Sequence, residues 1–141
     1  MKKIFLSSDH AGYKLKESIK IYLDKKKIKY TDLGPFNNDK VDYPDYAHKV
    51  AKKVKTNNKN AGILVCGSGI GMNIAANKHK NIRAAQCFNL RSTKLSRLHN
   101  DANIITLGSR LLSKNNALKC VNIFLSTKFE GGRHSKRIKK I

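Results

Sequence analysis

A cysteine closes an apolar run, and glycines alternate straight after it: Ile63-Leu64-Val65-Cys66-Gly67-Ser68-Gly69-Ile70-Gly71. The run reads as a strand, the glycines as a loop, and the residues from Ile70 onward as a helix. That order sets a thiol beside free backbone N–H groups at a helix N-terminus, where negative charge is stabilised. An anionic ligand suits such a place, and so does a reaction that builds an oxyanion. A tight turn that brings strand and helix close would use the same glycines. Cys66, immediately before the loop, tilts the reading toward an oxyanion-stabilising turn. Nucleotide fingerprints do not fit: the full Gly-x-Gly-x-x-Gly spacing is missing, no acid lies about twenty residues downstream, and no Gly-Lys-Ser/Thr ends the loop.

Other residues able to do chemistry stand in short clusters. Asp9-His10 follows another apolar run. Asp9 there reads as the cap of a helix leading into Ala11 or as a contact to a substrate hydroxyl, with His10 facing a phosphate or ring oxygen, and the two readings can coexist. His99-Asn100-Asp101 ends a helical pattern, where a histidine complements the helix dipole and is also poised as an acid or base near neutral pH. Arg133 and Arg137 share a face if helical, which suits bidentate phosphate binding; a solvated basic tail is the plainer reading. His48 and His79 read as surface helix positions, and no histidine pair has metal-ligand spacing. Cys87 and Cys120 fall inside apolar patterns and read as small buried residues. Carboxylates are scarce, with none between Asp45 and Asp101.

Strands and helices must hold these clusters in place, and apolar β-type runs alternate with helical patterns along the chain. Strands are expected at 3–8, 29–33, 61–66, 83–87 and 104–107, and helices at 11–27, 44–54, 70–78, 90–99 and 114–125. Leu15, Ile19, Tyr22 and Leu23 share a face of the first helix, while Pro44 opens the second, which carries Tyr46, Val50 and Val54. Gly34-Pro35 closes the second strand into a polar loop, and Gly131-Gly132 precedes a basic tail able to form one last short helix. The alternation predicts βαβ units in a single α/β domain over residues 1–141. Its architecture would be a three-layer, doubly wound (Rossmann-like) sheet of five parallel strands with a basic C-terminal tail helix. Ligands of such folds sit outside the carboxyl ends of the strands. Ser8-Asp9-His10, the connection 34–43, residues 66–71 and Gly108-Ser109-Arg110 should therefore converge on one edge.

Composition bounds the function. A chain of 141 residues with 40% hydrophobic content can bury a core. Its opening residues hold no long apolar region, so neither a signal peptide nor a membrane span is expected. Three widely spaced cysteines without a Cys-x-x-Cys argue against a disulfide framework or a zinc site and favour a cytoplasmic setting. The net charge of +21 invites nucleic acid, yet 24 of the 30 basic residues are lysines spread over every segment. Lysine and asparagine share adenine-rich codons, so base composition accounts for much of the pattern and no specific nucleic acid is expected. The charge does imply attraction for anionic substrates that weakens as salt rises.

Six motifs run colinearly over nearly the whole chain: Ser8-Asp9-His10-Ala11-Gly12, Asp42-Tyr43-Pro44, Cys66 to Gly71 with Ala75-Ala76-Asn77-Lys78, Leu95-Ser96-Arg97-Leu98-His99-Asn100-Asp101, Leu107-Gly108-Ser109-Arg110 and Phe129-Glu130-Gly131-Gly132-Arg133-His134. In these the chain resembles the ribose-5-phosphate isomerase B family, whose relatives include galactose-6-phosphate isomerase subunits. The resemblance implies interconversion of D-ribose 5-phosphate and D-ribulose 5-phosphate through a cis-enediolate, in the pentose phosphate pathway, with no metal or other cofactor. By position it implies that His99 assists ring opening, that Cys66 is the base, and that Ser68 shuttles protons on the substrate oxygens. Backbone N–H groups of Gly67, Gly69 and Gly71 would help hold the enediolate. Asp9, Tyr43 and Asn100 would position hydroxyls and ring oxygen, and His10, Arg110, Arg133 and Arg137 would bind the phosphate. One branch of the family uses a glutamate just past the loop as base. Met72 stands there in this chain, which leaves Cys66. The resemblance further implies a homodimer or a dimer of dimers with shared sites, His99, Asn100 and Arg110 coming from the neighbouring chain. A six-carbon sugar phosphate, allose or galactose 6-phosphate, is the alternative substrate, and a nucleic-acid-binding module the alternative from another class.

Overall fold

Five short segments, the three central ones predominantly apolar, form the strands β1 (Ile4–Ser8), β2 (Tyr30–Asp32), β3 (Ala61–Cys66), β4 (Ala84–Gln86) and β5 (Ile104–Gly108) of one sheet in the computed structural model, which describes residues 3–141. Neighbours are all parallel, in the order β2-β1-β3-β5-β4. The register sets Ser8 beside Val65 and Cys66 beside Gly108, so the carboxyl ends of the three central strands finish almost level. Between and after the strands lie α1 (Tyr13–Lys25), α2 (Tyr43–Val54), α3 (Ile70–Ala76), α4 (Leu90–Asn100), α5 (Lys114–Ser126) and α6 (Arg133–Ile138). No helix among the described residues is long and apolar enough to cross a membrane.

Side chains alternate across a strand, so each central strand feeds two cores. Ile4, Leu6, Ile63, Val65, Ile105 and Leu107 pack with Leu15, Ile19 and Leu23 of α1 and with Val121 and Phe124 of α5. On the other face, Phe5, Leu64 and Ile104 meet Val50 and Val54 of α2 and Met72 and Ala76 of α3. The doubly wound sheet expected from the sequence is the one formed, tail helix included.

Element ends differ from the expected ones by a residue or two, for local reasons. α1 begins at Tyr13 because a turn precedes it: Asp9 Oδ1 accepts the Gly12 N–H at 2.8 Å, and Gly12 is the N-cap. Asp9 therefore caps the turn and not the helix. α3 stops at Ala76 because the Asn77 side chain turns to β4, donating to the Ala84 carbonyl at 2.9 Å and accepting its N–H at 2.8 Å. His79 thus lies beyond α3 rather than on a helix face, and its Nε2 sits 2.8 Å from His48 Nδ1.

Lys16 fixes the connection between β2 and α2. It is fully buried, and its Nζ donates to both oxygens of Asp32 (2.8 and 2.9 Å) and to the Pro35 carbonyl (2.6 Å). Burial alone would raise the Asp32 carboxyl, but hydrogen bonds from Lys16, Lys20 and the Gly34 N–H hold it below the ordinary 3.8. The lysine occupies a stripe position of α1, in phase with Ile19 and Leu23, so its spacing marks it as internal although its type does not.

Candidate active site

At the carboxyl edge of the sheet, the exits of β1, β3 and β5 and the start of α2 enclose a cavity of about 310 Å³. Asp9, His10, Tyr43, Cys66, Gly67, Ser68, Gly71 and Arg110 line it, as the convergence of strand ends required. Asp9 is 7% exposed; one oxygen is held by Gly12, and the other has no hydrogen bond among the described residues. Carboxylates are distant from Cys66 in sequence but not in space, since Asp9 reaches the same cavity. His10 Nδ1 accepts the Val41 N–H at 3.3 Å, so the neutral ring carries its proton on Nε2 and donates from there. Tyr43 lies over Gly71, where an added Cβ would come within 2.6 Å of the ring. Glycine is what lets the tyrosine cover the loop.

The loop after β3 turns its donors inward. Cys66 Sγ accepts the Gly69 N–H at 3.1 Å, and Ser68 Oγ accepts that of Ile70 at 3.2 Å. The Cys66 and Gly67 carbonyls accept from the N–H groups of Ser109 and Arg110 at 2.8 and 2.9 Å. That leaves the Gly67, Ser68 and Gly71 N–H groups without a partner among the described residues. The Arg110 guanidinium stands beside them, Nη1 lying 3.0 Å from where a Gly67 Cβ would be. Arg110 is therefore a neighbour of Cys66 within one chain. The reason is topological: β5 is the direct sheet neighbour of β3, and its exit is bonded to the loop.

His99, Asn100, Arg133 and Arg137 are not part of this cavity. α4 leaves the carboxyl end of β4 and returns to the start of β5, so its last turn, with His99 and Asn100, lies at the amino edge of the sheet. α6 is tied to that turn through the Glu130 N–H, which donates to the Leu98 carbonyl at 3.1 Å. His99 stacks on His134 with ring centroids 4.3 Å apart and planes inclined by 13°, and its Nε2 is 3.8 Å from Glu130 Oε2. Burial, then the charges of His99, Arg133 and Arg137, push the His134 imidazole below its ordinary value. Candidate ligand atoms of His99, Glu130 and His134 lie within 4.8 Å of one another. Stacked rings, however, aim their nitrogens side by side instead of at one point, and the nearby arginines repel a cation.

Arginine is not a uniform signal in this chain. Arg83 and Arg97 both hold Asp101, at 3.2 and 2.8 Å, and pin the end of α4. Three contributors escaped the sequence reading: Lys16, the His134 stack, and Gln86, whose Nε2 donates to the Ser68 carbonyl at 2.9 Å. A polar residue on an apolar stripe marks the first; no sequence signal marks the other two.

Known proteins share this fold. A family profile described as Ribose/Galactose Isomerase matches residues 4–141. Ribose-5-phosphate isomerase B of Escherichia coli (strain K12) is 41% identical over 141 residues, covering 100% of this chain and 95% of its own. Among solved structures, a ribose 5-phosphate isomerase from Thermotoga maritima is 48% identical with a TM-score of 0.95, over 98% of this chain and 95% of that one. Ribose-5-phosphate isomerase B from Mycoplasma genitalium, solved with bound ribulose-5-phosphate, is 44% identical with a TM-score of 0.94, over 98% and 92%.

Proposed function

The chain belongs to the ribose/galactose isomerase family, and we propose that it interconverts D-ribose 5-phosphate and D-ribulose 5-phosphate through a cis-enediolate. The observation that carries this reading is the Cys66 sulfur set in a loop whose Gly67, Ser68 and Gly71 N–H groups have no partner among the described residues. Cys66 takes the proton from the carbon next to the carbonyl, and the free donors stabilise the oxyanion that forms. One such preorganised donor is typically worth about 3 kcal/mol of barrier. Ser68 shuttles protons on the substrate oxygens. Asp9 and Tyr43 position hydroxyls, while His10 and Arg110 hold the phosphate and so fix the reacting carbons at the loop.

His99, Asn100, Arg133 and Arg137 complete the site from a second copy of the chain, His99 to open the furanose ring and the arginines to clamp the phosphate. Their place at the opposite edge of the sheet supports this, because one chain does not hold both halves together. Ile70, Ile74 and Phe88, exposed by 48%, 57% and 60%, offer apolar surface for such an assembly. All three cysteines are free and buried, which suits the reducing cytoplasm where we place the enzyme.

Replacing Cys66 by Ala tests the assignment. Turnover of ribose 5-phosphate should fall by about 10²- to 10⁴-fold, while inorganic phosphate still competes for binding. Unchanged turnover would overturn the role of Cys66. Side-by-side turnover of ribose, allose and galactose phosphates decides the sugar, with the five-carbon substrate expected to be fastest.

A further inference from the structure

We propose that Gln86 is a positioning residue for the catalytic loop, aiming the Ser68–Gly69 peptide so that its N–H stays on the Cys66 sulfur. The inference rests on the reading of Cys66 as the base. Of the first three loop carbonyls, those of Cys66 and Gly67 are held by backbone N–H groups of the β5 exit. The third, at Ser68, is held by a side chain, Gln86 Nε2 at 2.9 Å. The N–H of the same peptide unit, carried by Gly69, donates to Cys66 Sγ at 3.1 Å. One relay thus runs from the amide of Gln86 through the peptide to the sulfur, and donation at its carbonyl strengthens the N–H at its other end.

The peptide needs such an anchor. Gly69 sits at φ 78°, and a glycine leaves the preceding peptide plane freer to swing than any other residue would. A swung plane turns a carbonyl oxygen toward the sulfur in place of the N–H, removing a donor just where negative charge must be held. Gln86 is well placed to prevent this. It sits on β4 with its side chain on the same face as that of Ala84, which packs in the α2–α3 core that also contains Cys66.

The test separates the donor from mere bulk. Gln86→Met keeps the length and removes the donor, whereas Gln86→Lys restores a donor on an unrelated side chain. Steady-state kinetics are read together with the rate at which iodoacetamide alkylates Cys66 at neutral pH, located by peptide mapping. Burial raises the Cys87 and Cys120 thiols, so these lag behind. In the Met variant, kcat and Cys66 alkylation should both fall about tenfold with KM within about twofold of the parent, and the Lys variant should recover both. If Gln86→Met does not fold, Gln86→Glu, ionised and without a donor, replaces it. A Met variant like the parent, or a Lys variant as impaired as the Met one, overturns the proposal. Alkylation that follows the donor while kcat does not upholds the role of Gln86 and overturns that of Cys66.

Discussion

His99 gives the sharpest test of a single residue, because its proposed work ends before the carbon acid is touched. Ring opening precedes enolisation, and ribulose 5-phosphate has no furanose ring to open. His99→Asn should therefore slow turnover of ribose 5-phosphate by about 10²-fold while exchange of solvent deuterium into ribulose 5-phosphate stays within a few-fold of the parent. Equal losses in both measurements would refute the ring-opening role. At this scale the sequence was informative wherever a residue follows directly on a strand. Asp9, His10, Cys66, Ser68 and Arg110 are all of that kind, and the sheet alone brings them together. Gln86 and His134 were not legible, since each acts through a neighbour distant in the chain: Ser68 for one, His99 for the other.

The elements were legible because alternation of apolar runs and helical stripes is a property of the chain itself. Their joints were not, and the connection from β2 to α2, which delivers Tyr43, shows why. It is held by Lys16, buried against Asp32, and a buried lysine belongs to no pattern of polar surfaces. Asp32→Asn removes the charged partner and should cost about 3 kcal/mol at neutral pH. The sign of its pH dependence follows from the lowered carboxyl. In the folded state Asp32 titrates below the 3.8 of the unfolded chain, so its contribution is fully present above that value and is lost as pH falls through the lower folded one. Urea unfolding of parent and variant should thus show a gap at neutral pH that narrows in acid below 3.8. A gap of constant size would mean that the ion pair contributes nothing and that packing alone is at stake.

At the scale of the whole molecule, the net charge of +21 draws anionic substrates in general, but two clusters at opposite edges of one sheet ask for a particular assembly. If a two-fold pair of chains brings the carboxyl edge of one against the amino edge of the other, each site takes Cys66 and Arg110 from one chain and His99 from its partner. Cys66→Ala and His99→Asn chains, each slowed at least about 10²-fold on ribose 5-phosphate alone, then combine into dimers in which one site carries both changes and the other neither. Random co-assembly should restore roughly one quarter of the parent activity, since half of the dimers are mixed and each of those has one intact site. Cys66→Ala with Arg110→Ala is the informative contrast. Both residues belong to the same half, so every mixed dimer has one defect in each site and no activity returns. Rescue in the second pairing would place Arg110 across the interface after all, against its position beside Gly67. Absence of rescue in the first would show that His99 serves the Cys66 of its own chain or serves no Cys66, and the shared site would fall with it.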